Sequence, residues 1–154
     1  MPPYTLNPTD AQTSIAEYIQ DLYPHIPVIP DGLLDTDDDT IKYFPDGSIK
    51  PFIVLRYYSS RRSRRGRSFS SEKLDSHHAA FDVVVVANNG TDARLVLNAV
   101  SNDLIGWKPE NSGGIVKGEG LWEGSRAVIG SNDKPSRWAA VDRFLFGISA
   151  VKTA

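Results

Sequence analysis

No cysteine occurs in the 154 residues, which excludes disulfides, thiolate nucleophiles and cysteine-ligated zinc together. No apolar run approaches the ~20 residues a bilayer-spanning helix needs. The opening Met1-Pro2-Pro3-Tyr4-Thr5 has neither the charged start nor the apolar stretch of a signal peptide, so a soluble chain made in the cytoplasm, with no membrane partner, is expected. Neither sign of charge is in excess. The formal net charge is −2, which favours neither a nucleic-acid partner nor a membrane surface, so any electrostatic role has to be local. What the chain does have is 40% hydrophobic and 23% charged residues, the balance of one globular domain spanning 1–154 with a sizeable core.

The first expected element is a helix. Thr9 and Gln12 have capping-box spacing, Asp10 suits a first turn, and Ala11, Ile15, Tyr18, Ile19 and Leu22 recur at helical intervals until Pro24 stops them. Residues 24–50 follow as a Pro/Asp-rich extended segment. Prolines 24, 27 and 30 keep the backbone out of helix, while Asp31-Gly32 and Asp46-Gly47 carry hairpin-type turn signals. A strand is predicted at Phe52–Tyr58, then a long basic loop over 59–78 with almost no apolar content. The strand Ala79–Ala87 contains Val83-Val84-Val85-Val86, apolar on both faces and hence central in a sheet.

Asn88-Asn89-Gly90 turns the chain, and Thr91 is expected to cap a second helix that buries Ala93, Val96, Leu97, Val100 and Leu104. Gly106 stands where a left-handed cap belongs, Pro109 blocks continuation, and Trp107 is placed to fold back onto the core. Short strands are predicted at Gly120–Glu123 and Arg126–Ile129 around Gly124-Ser125. A long one is predicted at Trp138–Val151, with Phe144, Phe146 and Ile148 on one face and Val141, Arg143 and Leu145 on the other. The expected fold is α+β, a mostly antiparallel sheet of four to five strands with two helices packed on one face.

A catalytic constellation is not evident. His77-His78 sits at the edge of the basic loop without the helical spacing of a metal pair, and His25 between two prolines suits a packing role. No Gly-x-Ser-x-Gly elbow or phosphate-binding loop occurs, and Ser112-Gly113-Gly114 follows a helix rather than preceding one. Asp35, Asp37, Asp38 and Asp39 alternate like calcium ligands but lack the glycine and distal glutamate of an EF-hand loop, so a solvated or partner-facing acidic loop is expected. No enzyme activity, cofactor or metal is expected.

The sharpest feature is Arg61-Arg62-Ser63-Arg64-Arg65-Gly66-Arg67, five arginines in seven residues. Such a cluster repels itself and stays extended until it meets an anion. Three partners suit Arg61, Arg62, Arg64, Arg65 and Arg67: phosphates of a nucleic acid, an acidic loop or lumen of neighbouring subunits, or water alone. A dedicated nucleic-acid binder would carry a wider basic footprint than this near-neutral chain does.

Taken together, several segments resemble one family. They are the capped first helix, the basic loop between two strands, the valine strand ending in Asn88-Asn89-Gly90, Ile105-Gly106-Trp107-Lys108-Pro109, Ser112-Gly113-Gly114, and the last strand through Arg143-Phe144-Leu145-Phe146. In this layout the chain resembles the tail terminator proteins of long-tailed bacteriophages, of the lambda-like group and of actinobacterial phages. Phe52 to Ala150 carry the similarity; the Asp35–Asp39 run and the prolines before it depart from it. The resemblance implies a homohexameric ring at the head-proximal end of the virion tail. Such a ring ends tube polymerisation and joins the tail to a head-completion or neck protein, and genome DNA passes through its lumen. It also implies that Arg61–Arg67 lie near the ring's inner side or reach a neighbouring ring; independently of the resemblance, charge makes the Asp35–Asp39 run an expected contact for the arginines of a neighbouring subunit. A head–tail connector or tail tube subunit is the neighbouring reading, although tube subunits add long hairpins and the strands expected here are short. A small nucleic-acid-binding domain is the reading from another class.

Overall fold

The computed structural model describes residues 4–6, 9–30, 41–58, 61–62, 77–118, 129–131, 136–148 and 150–152. In chain order the elements are β1 (Tyr4–Leu6), α1 (Thr9–Leu22), β2 (Val28–Ile29), β3 (Phe52–Tyr57), β4 (Arg61–Arg62), β5 (His77–Ala87), α2 (Gly90–Leu104), β6 (Lys117–Gly118), β7 (Ile129–Ser131), β8 (Arg137–Ile148) and β9 (Ala150–Lys152). The fold is α+β. The main sheet runs β2-β3-β5-β8-β6, with β4 also on β5 and β7 also on β8; among the described residues β2 pairs β3 in parallel and the other pairs are antiparallel. A separate two-stranded ladder joins β1 to β9.

β5 is the axis of the sheet because its side chains are apolar in both directions. Val83 and Val85 join Ala11, Ile15 and Ile19 of α1 and Ala93, Leu97, Val100 and Leu104 of α2 in one core, completed by Phe81, Phe144 and Phe146. Val84 and Val86 point the other way, into a smaller cluster with Ile41, Ile49, Phe52 and Val54. Both helices therefore cover one face. The hairpin around Asp46-Gly47 covers part of the other, its turn closed by the Ser48 carbonyl accepting from Phe44 N–H at 2.7 Å. Truncating a fully buried side chain such as Leu97 to alanine removes about 2–5 kcal/mol.

Several local expectations need correction. Asn89, not Thr91, caps α2: its side-chain oxygen accepts the Asp92 N–H at 2.8 Å, so the Asn-Asn-Gly turn is itself the helix start. Leu22, expected on the buried face of α1, is 43% exposed because it sits on the last turn, beyond the core. His25 is exposed rather than packed. The last long strand ends at Ile148, and the chain resumes as β9 against β1, a pairing between residues far apart in sequence. Of the two short strands expected before it, all but Ile129 fall outside the described residues.

Two backbone approaches shape the turn after α2. Gly106 adopts φ +89, the left-handed conformation that suits glycine, and its N–H donates to the Val116 carbonyl at 3.0 Å. Trp107 then folds back, its ring stacked on Tyr18 of α1 with centroids 4.0 Å apart. Further on, Gly113 and Gly147 meet backbone to backbone: Gly113 N–H donates to the Gly147 carbonyl at 2.7 Å, and a Cβ on Gly113 would lie 3.0 Å from the Ile148 carbonyl carbon.

Candidate functional site

The basic segment is rooted in the sheet. β3 pairs with β5 from Phe52↔Val86 to Tyr57↔Phe81, and β4 continues along the same strand with Arg61↔His78 and Arg62↔His77. Tyr58 N–H donates to the Ala80 carbonyl, so pairing with β5 runs past the end of β3 toward β4. The expected free loop over 59–78 is therefore corrected at both ends. Arg61 and Arg62 are strand residues, and His77 and His78 open β5 rather than lying in a loop. Arg64, Arg65 and Arg67 lie outside the described residues, as do Asp35, Asp37, Asp38 and Asp39.

Beside this root, the sheet face away from the helices carries a row of charge. Register places Arg56 opposite Asp82 and Asp82 opposite Arg143 on three adjacent strands. A carboxylate in the middle of a valine-rich strand is costly to bury without partners. Here Asp82 is 4% exposed and accepts Arg143 Nε at 2.8 Å, Arg143 Nη2 at 3.4 Å and the Tyr58 hydroxyl at 2.5 Å. The guanidinium meets both carboxylate oxygens, the fork geometry that suits arginine best. Its Nη2 also donates to the Tyr58 hydroxyl at 2.9 Å, and its Cζ stands 4.6 Å from the centre of that ring. These contacts raise the Arg143 pKa above its ordinary value, first through the hydrogen bond to Asp82.

Arg56 is left over. Asp82 turns toward Arg143 and Tyr58, and the buried Nε of Arg56 has no hydrogen-bond partner. Lys117, opposite Leu145 in β6, adds an exposed ammonium to the same side. Among the described residues, Arg56, Arg143 and Lys117 against Asp82 give this patch an excess of two positive charges.

The helix layer has the opposite balance. α1 contains Asp10, Glu17 and Asp21 and no lysine or arginine. Its outer edge lines a groove of about 530 Å³ with Gln12, Ala16, Glu17, Val28 and Tyr57. Asp10 accepts from the Asn111 amide at 3.0 Å, while Glu17 and Asp21 have no ion pair among the described residues.

Among the described residues no three His, Asp or Glu side chains are grouped to hold a metal ion, and no helix is long and apolar enough to cross a membrane. Comparison with protein-family models and with curated proteins finds no match. What the arrangement offers chemically is recognition of charge on two opposed surfaces. The signal for the row was partly present in sequence, since Asp82 interrupts an otherwise apolar strand. Its partners required the register.

Proposed function

We propose that the chain is a structural subunit of a bacteriophage tail, assembling into a ring, six-membered by the family resemblance, at the head-proximal end of the virion tail. The ring caps the tail tube, ends its polymerisation and joins it to a head-completion or neck protein, with DNA passing through the lumen. The work is done by shape and charge, not by catalysis. One observation carries the reading: the arginine-rich segment grows from the paired ends of β4 and β5, so its base has a fixed place on the sheet. A charge cluster anchored this way suits repeated presentation to neighbours or to a lumen around a symmetry axis.

Solution mass, read alone and with tail tubes added, tests the proposal. The expected result is a sixfold species, free or on tube ends, and tubes that stop growing when capped. A chain that stays monomeric and leaves tube length unchanged refutes it. Replacing Arg61, Arg62, Arg64 and Arg65 with serine should leave the fold intact and impair ring assembly or tail joining.

A tail tube subunit is the second reading, and the antiparallel pairing of β8 along all 11 residues of β5 is what favours it. A tube subunit would polymerise into long tubes by itself, and electron microscopy distinguishes the two outcomes. If the Arg segment instead serves nucleic acid, DNA affinity should fall steeply with salt, with a slope set by the number of phosphates contacted.

A further inference from the structure

Neighbouring residues in β3 look onto two surfaces of opposite charge. Tyr57 and Glu17 line the groove along α1, and Glu17 and, one turn on, Asp21 are exposed with no ion pair among the described residues. Arg56 lies on the other side of the sheet, in the row with Arg143 and Lys117. Tyr58, on the same side as Arg56, is 37% exposed, and Arg143 keeps 27% of its side chain accessible. The hairpin around Asp46-Gly47 covers the half of this face occupied by Val54, Val84 and Val86.

We infer that these two surfaces bind each other between copies of this chain: the acidic outer edge of α1 in one copy docks on the cationic half of the sheet in the next. Glu17 and Asp21 supply carboxylates to Arg56 and Lys117. Charge complementarity points to the contact. Among the described residues one surface has an excess of two positive charges, and the other is a helix with three acids and no base. Because the two surfaces lie on opposite faces of one subunit, the contact is head to tail, the kind that repeats around a ring rather than stopping at a dimer. The second copy also places a helix on a sheet face that the chain's own helices leave uncovered.

The inference rests on the ring reading and adds the surfaces that make the ring. Its test is a double-mutant cycle on self-association, measured by sedimentation of the full chain at low and moderate salt. The variants are Glu17→Gln, Arg56→Gln and the two combined. Glu17→Gln is isosteric, Arg56→Gln removes the charge with a shorter polar side chain, and circular dichroism reports whether each variant folds. Each single change should weaken association by about tenfold, and the double by little more than either alone, since one pair is being removed. The wild-type contact should weaken as salt screens it. Asp21→Lys, a fully surface substitution, is a second probe expected to act in the same direction. Rings that form equally well in all variants overturn this inference and leave the ring reading standing. A wild-type chain that never self-associates, alone or on tubes, overturns both. Arg56→Gln that spares self-association but lowers affinity for a DNA duplex assigns the row to phosphates and also overturns it.

Discussion

Replacing Arg143 with methionine should destabilise the chain far more than neutralising its partner, Asp82. The structure makes the two sides of the ion pair unequal. The Asp82 side chain is 5% exposed and that of Arg143 is 27% exposed. Arg143→Met strips both guanidinium contacts from a buried carboxylate, leaving it, among the described side chains, the Tyr58 hydroxyl at 2.5 Å. Breaking a buried pair this way costs about 3–5 kcal/mol, and the lost stacking on Tyr58 adds about 0.5–1. Asp82→Asn leaves a guanidinium that can turn toward water, at a cost of about 1–2 kcal/mol.

Replacing both, Asp82→Val with Arg143→Met, extends the valine face of β5 and should recover most of the loss, ending within about 1–2 kcal/mol of the parent. Urea unfolding reads the series directly. With a slope of roughly 2 kcal/mol/M, a 4 kcal/mol loss moves the midpoint by about 2 M at constant slope. Equal losses from Arg143→Met and Asp82→Asn would refute the reasoning, because they would mean that burial of the carboxylate is not the source of the cost. A double variant as unstable as the sum of its parts would refute it as well.

Three further outcomes are expected. Gly147→Ala drives a Cβ to 3.1 Å from the Gly113 carbonyl carbon, both partners being backbone, and should cost more than Gly106→Ala, where only φ +89 is strained and the space is open. Thermal unfolding should rank them, with about 1 kcal/mol for Gly106→Ala. Asn89→Ala removes the α2 cap and should lower stability by about 1 kcal/mol, with Asn89→Ser largely restoring it in the same assay. Tyr23, pushed up to about 12 by burial and then by its hydrogen bond to Asp103, stays protonated in the folded chain after the unfolded chain has begun to ionise. Its contribution is complete below pH ~10 and lost between ~10 and ~12. Because this site is largely solvent-screened, the effect is at most about 1 kcal/mol. Unfolding measured across that window should lose this part of its pH dependence in Tyr23→Phe.

Much of the fold was legible because period and burial agreed. The alternation through Val83–Val86 announced a strand with two apolar faces, and the structure sends odd and even positions into separate clusters. Gly106 and Trp107 behaved as their types suggest. Three things were not legible, for physical reasons. β2 is a two-residue strand between Pro27 and Pro30, held by parallel pairing to β3 that no local pattern encodes. Arg61 and Arg62 have the composition of a loop, and their strand conformation comes from His77 and His78 opposite. The Asp82 row exists only once three strands are aligned, since Arg56 and Arg143 are separated from it by 26 and 61 positions in sequence.

The pairing of β5 on both its edges bears on how force passes through the molecule. β5 is bonded along one edge to β3 and then β4, and along the other to β8 for its entire length. Arg62 and His77, the two residues from which the rest of the segment departs and to which it returns, thus stand opposite each other on adjacent strands. A pull on either is taken up first by the ladder of the central strand, which both helices brace from behind.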